Sequence, residues 1–204
     1  FPGAGGDLSS GWDALPSSAD TVVISRGGTY TAGNDLSFGN IKVTTGDGVI
    51  FNMAPSRQVI LNSTIKSSDF GYPNSGYGFA PLSSGSVNVT LNGGYWYFVN
   101  DNNFYAAESG SANAGGSVTI KGGVVVTNVN TFYYGEHSRG NTVLIDNAKV
   151  YASKLTNWAT GDHNLLEICN GGEMHLSTIM HTDYAGNPAN STGYNEVYVH
   201  GEGA

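Results

Sequence analysis

Asn164-Leu-Leu-Glu-Ile-Cys-Asn-Gly-Gly172 and, earlier in the chain, Ser117-Val-Thr-Ile-Lys-Gly-Gly-Val-Val-Val-Thr127 decide the fold. Each carries apolar β-formers at positions i and i+2, then a glycine turn and a second apolar stretch. Residues two apart on a strand share one face, so Leu166/Ile168 and Val118/Ile120 read as inward pairs. Glycine supplies the positive φ that a sharp corner demands.

The same unit recurs to either side. Further inward pairs are Val22/Ile24, Ile41/Val43, Val59/Leu61, Val89/Leu91, Val143/Ile145 and Val197/Val199. Across the eight pairs the second members recur at intervals of 19, 18, 30, 29, 25, 23 and 31 residues. Gly- or Asn-containing turns follow most of them, and second apolar stretches such as Trp96/Phe98, Val124/Val126, Ala148/Val150 and Met174/Leu176 come next. Repeats of this kind bury their apolar face only against their neighbours. The pattern predicts an all-β fold, a right-handed single-stranded parallel β-helix (β-solenoid) of about eight rungs with long inter-rung loops. At about 4.8 Å per strand that is a rod roughly 40 Å long. A sandwich or prism of hairpins is the alternative, since Ser117 to Thr127 also reads as a hairpin. Insertions confined to the segments between units favour the solenoid. Residues 1–204 read as one domain, with 1–20 as an N-terminal cap segment around Trp12, Leu15 and Pro16, and 21–204 as rungs.

Composition agrees. Charged residues make up 12% of the 204, about half the usual share, while 30 glycines and 39% hydrophobic residues describe an ordered β protein with many tight turns. The net charge is −8 and the few basic residues are scattered, which excludes a nucleic-acid groove. No apolar run approaches the roughly 20 residues of a membrane-spanning helix, so no membrane insertion is expected. Cys169 is the lone cysteine, so no internal disulfide can form. The start at Phe1-Pro2-Gly3 without Met reads as a processed mature form or an excised fragment, and the expected location is secreted or cell-surface. Sequons begin at Asn62, Asn88 and Asn190.

The opening Trp12-Asp-Ala-Leu-Pro16, then Ala19-Asp-Thr-Val-Val-Ile24 and Gly27-Gly28, resembles the first rungs of autotransporter-like bacterial surface β-helix passengers. Val118 to Gly123 and Asn164 to Gly172 look like their repeats. Phage tailspikes are the nearest other comparison. The likeness runs from about residue 12 to 204 and is specific for architecture. It implies an extracellular structural or adhesive solenoid, a surface passenger or fibre subunit. The family also includes enzymes, but none of its catalytic motifs matches a position here.

Function is expected in the inter-unit segments. Tyr72, Tyr77, Tyr105, Tyr133, Tyr134, Trp158 and Tyr184 are the candidate ligand-binding residues, amid many Asn and Asp. Flat rings with directed hydrogen bonds suit sugars, so surface glycans are an expected partner. The plainer reading is that these rings pack on one another and hold the loops down. Glu136, His137 and Asp162, with Arg139 and His163 near them, are the catalytic candidates. They carry the alternative function, a polysaccharide-active tailspike-like hydrolase or lyase, which needs paired carboxylates or a base beside a cation. Cys169, His175, His181 and Asp183 fit no zinc spacing. No cofactor is called for, with calcium the one ion that acidic turns at Asp101 and Asp47 could take.

Between the inward pairs lie Val23, Ile60, Leu144 and Tyr198, apolar residues on an outward face. The last unit stops almost at its glycine turn with no polar cap. An uncapped rung is a template for strand addition. The expected partners are therefore copies of the chain itself, or the continuation of its own chain, through the open end rungs.

Overall fold

A computed structural model describes residues 3–62, 77–81, 87–99, 102–106, 116–135, 140–158, 163–182 and 195–201. The described chain is all-β, and every strand pairing is parallel.

One sheet has eight strands in chain order: β1 (Gly6–Asp7), β3 (Gly28–Thr31), β6 (Val49–Asn52), β9 (Asn88–Asn92), β12 (Ser117–Lys121), β14 (Thr142–Asp146), β16 (Leu165–Cys169) and β18 (Glu196–Val199). The second sheet has two limbs. The first holds β4 (Leu36–Phe38), β7 (Gln58–Leu61) and β10 (Tyr95–Phe98). The other holds β2 (Thr21–Ile24), β5 (Asn40–Val43), β8 (Tyr77–Pro81) and β11 (Asn103–Tyr105). The longer strands β13 (Val125–Tyr133), β15 (Lys149–Trp158) and β17 (Glu173–Thr182) span both limbs. Thus Tyr95 of β10 partners Val125 at the start of β13, and Phe104 of β11 partners Phe132 near its end. From β3 onward the chain visits the first sheet, one limb and the other limb in turn, and pairs with the strand of the preceding cycle.

Period-2 alternation puts the expected pairs inside. Seven of the eight are buried, from Val22/Ile24 to Leu166/Ile168. They do not form one column. Val22/Ile24 and Ile41/Val43 belong to β2 and β5, Val59/Leu61 to β7, and only the last five to the first sheet. Every face of the cycle uses the same alternation, so a pair reveals its strand but not its sheet. The early positions of the first sheet are held by Tyr30 and Val49/Phe51, all buried. Val197/Val199 depart from expectation. They are 48% and 53% exposed, because β18 has a strand partner on its β16 side alone among the described residues.

Aligned strands stack like residues into ladders. Phe79, Phe104 and Phe132 stack with ring centroids 4.9 and 4.7 Å apart, and Phe51 meets Trp96 edge-on at 5.6 Å. A buried asparagine ladder precedes the first sheet. Asn164 Oδ1 accepts from Asn141 Nδ2 (2.7 Å) and the Asn141 backbone N–H (3.0 Å). One cycle on, Asn195 Oδ1 accepts the equivalent bonds from Asn164 at 3.0 and 3.1 Å. Corners are turned by left-handed residues, Gly93 (φ 76), Gly122 (φ 68), Asn147 (φ 48) and Asn170 (φ 51). Asparagine tolerates this region better than other side chains, so Asn147 and Asn170 stand where earlier cycles use glycine. Within segment 1–20, Leu8 is fully buried, Trp12 Nε1 donates to the Leu8 carbonyl (2.8 Å), and Leu15 is exposed.

Candidate functional site

The aromatic side chains expected to face a ligand divide into two groups. Tyr105, Tyr133 and Tyr134, three of the expected ligand contacts, are buried. All three residues of β11 are covered, so both faces of this strand are packed. Tyr105 stacks on Tyr133 at 4.4 Å with planes 2° apart, and burial pushes the Tyr134 hydroxyl above its usual pKa. Tyr72, Tyr184, Glu136, His137, Asp162, Asp101, Arg139 and Asp183 lie outside the described residues. Tyr77, Trp158 and His181 are strand residues whose side chains are likewise not described. His163 is an exposed corner residue (φ 54). Asp47 is exposed, and its local bonds are with Thr45.

The exposed aromatic surface lies instead on the outer face of the first limb. In β10 the inward Trp96/Phe98 leave Tyr95 and Tyr97 outward, 38% and 37% exposed. Tyr97 is the Cα partner of Ile60 on one side and Thr127 on the other. Further along, Tyr151 partners His175, and their rings stack at 4.4 Å with planes 8° apart. The His175 imidazole also meets Glu173 Oε2 at 2.9 Å. Glu173 in turn binds Lys149 Nζ at 2.7 Å, which with His175 holds its carboxyl below the ordinary carboxylate range. The outer face therefore alternates flat rings with a fixed charge pair.

Beside this stack the chain bulges. Val126 and Val129 partner Val150 and Ala152, so two β13 residues, Thr127 and Asn128, face one residue of β15. Asn128 takes the left-handed conformation (φ 61), and its Nδ2 donates to the Phe98 carbonyl. The extra residue bends the strand round the corner between limbs, as bulges do. It leaves an open groove of about 370 Å³ lined by Asn128, Tyr151, Ser153, His175 and Ser177 among others. Ring faces beside hydroxyl and amide groups can stack on an apolar plane while bonding a polar rim.

Cys169 is buried and free. His175 lies in the other sheet, bonded to Glu173. The imidazole beside Cys169 belongs to His200, just past β18, and the carboxylate is Glu167. Glu167 is two residues from Cys169, but His200 is 31 residues beyond it, so spacing along the chain does not bring the three together. Aligning Leu166-Glu-Ile-Cys169 with Val197-Tyr-Val-His200 on their inward pairs would have placed Cys169 beside His200.

No family model, no curated protein and no solved structure matches the chain.

Proposed function

We propose that the chain winds as a right-handed parallel β-solenoid and works outside the cell as a structural or adhesive scaffold, a surface passenger or fibre subunit. The cyclic order of strands, all paired in parallel, supports the winding. The observation that carries the function is β18. All four of its residues are exposed, and Val197, Tyr198 and Val199 present apolar side chains beside an edge that none of the described strands covers. A strand edge with apolar flanks favours another strand, here one from a second copy of the chain or from the continuation of its own chain. The likeness to passenger β-helices points to the same use.

Sedimentation velocity over a range of protein concentrations tests this. The wild-type chain should self-associate with rising concentration, and Val197→Lys/Val199→Lys should not, because lysines at these positions bring charge onto the apolar end. A wild-type chain that stays monomeric throughout, or a double variant that associates equally, would refute the assignment of β18.

A second contact surface is supported by the outer aromatic face. Tyr95, Tyr97 and the Tyr151–His175 stack beside the groove suit glycan rings. Binding on a glycan array that disappears in Tyr151→Ala, with the fold kept, would support it. Binding unaltered by that change would exclude this face.

A further inference from the structure

Beyond the edge and the outer aromatic face, the strand register gathers three unlike metal-ligating groups at one place. Ile168 partners Val199, so the next residues, Cys169 and His200, come side by side. The His200 backbone N–H donates to the Ile168 carbonyl at 3.0 Å and fixes that approach. Glu167 lies on the same face as Cys169, two residues before it. The ligand atoms of Glu167, Cys169 and His200 all lie within 4.8 Å of one another. Glu167 Oε1 is 2.5 Å from His200 Nε2, and the Tyr198 ring lies against the imidazole at 4.6 Å.

Cys169 is buried, as is its neighbour Ile168. Asp146 is the Cα partner of Cys169 on β14.

We propose that Glu167, Cys169 and His200 bind a thiophilic divalent cation, Zn²⁺, with the remaining coordination position open to water or an exogenous ligand. Sulfur and imidazole nitrogen discriminate against Ca²⁺ and Mg²⁺, which prefer oxygen donors. Tetrahedral zinc at its usual bond lengths holds ligand atoms about 3.3–3.8 Å apart, so modest rotamer changes complete the site. As the Zn–S bond forms, the thiol proton passes to solvent. One ligand comes from the segment after β18 and two from β16, so the ion would fasten the last described strand to the sheet.

The test is titration of the full-length chain with Zn²⁺ and with Co²⁺ as its spectroscopic surrogate, using Mg²⁺ as control. The expected result is one ion per chain, a thiolate-to-cobalt charge-transfer band, and zinc-dependent protection of residues 196–201 from hydrogen exchange. Cys169→Ser should abolish the band. His200→Gln changes a partly exposed side chain and leaves the core untouched, and it should weaken binding by more than about 100-fold, above the usual effect of an outer-shell partner. No charge-transfer band in the wild type, or Zn²⁺ affinity unchanged in folded His200→Gln, would overturn the proposal.

Discussion

Replacing Asn164 with alanine should be among the most damaging single changes available outside the apolar core. The residue is 1% exposed, as is Asn141 below it. Its Oδ1 is the shared acceptor for the Asn141 backbone N–H and amide, and its Nδ2 donates up the ladder to Asn195. Alanine withdraws that acceptor while both Asn141 donors stay buried. An orphaned buried donor costs about 1–3 kcal/mol, so the loss of the acceptor for two donors should cost about 2–6 kcal/mol. In a chain of this length 1 kcal/mol lowers Tm by roughly 2–4 °C, which gives a drop of about 4–24 °C. Asn52→Ala is the control. Asn52 Oδ1 accepts from Asn92 Nδ2 at 2.6 Å, but that bond is exposed, and its loss should cost under about 1 kcal/mol. Urea unfolding followed by tryptophan fluorescence, with thermal melts by circular dichroism, measures both. Equal losses in the two variants would refute the claim that the buried ladder holds the corner.

Phe104→Ala, at the centre of the Phe79–Phe104–Phe132 stack, should cost about 3–5 kcal/mol in the same unfolding assay. Gly93→Ala forces a side chain into φ 76, where its Cβ would collide with the Met53 carbonyl, and should lose at least about 1 kcal/mol. Asp7 is held below the ordinary carboxylate range, first by the Ser9 hydroxyl (2.6 Å), then by backbone N–H groups of Ser9 (2.8 Å) and Gly33 (3.1 Å). Its folded pKa is depressed, so its contribution is complete above the ordinary carboxylate pKa and is lost as pH falls through the lower folded value. The acid limb of a stability–pH profile should therefore be shallower in Asp7→Ala, with the difference confined to that window. Burial first, then the charges of Asp146 and Glu167, push the Cys169 thiol above its usual pKa. In metal-free protein it should react with a disulfide reagent far more slowly when folded than in urea, as timed thiol assays would show.

Much of the strand pattern was legible because alternation is a local property. Val118/Ile120 and Leu166/Ile168 declare their inner face whatever lies around them. Sheet membership is a property of stacking, and three faces carrying one code made Val59/Leu61 look continuous with Val89/Leu91. The burial of the aromatics was hidden for a related reason. Tyr105 and Tyr133 stand among polar residues, which suggested exposed loops, but residues aligned across parallel strands stack on each other and are covered on both sides. Alternation did hold the answer for Tyr95 and Tyr97, since an inward Trp96/Phe98 obliges their neighbours to face out. The Glu167–Cys169–His200 cluster depends on register between units 31 residues apart, counted from Ile168 to Val199. Spacing along the chain cannot show it, although alignment of the inward pairs can.

Parallel, in-register stacking of one cycle on the next can be checked by site-directed disulfide formation. Thr119 and Leu144 are Cα partners on β12 and β14. Parallel neighbours stand about 4.8 Å apart, within reach of a disulfide. In a Cys169→Ser background, Thr119→Cys/Leu144→Cys should cross-link under mild oxidation, with the joined peptides identified by mass spectrometry. Thr119→Cys/Val143→Cys should not, because a one-residue shift turns the second thiol to the other face. Cross-linking of Thr119→Cys with Val126→Cys, the pair an antiparallel hairpin would bring together, would contradict the parallel stack.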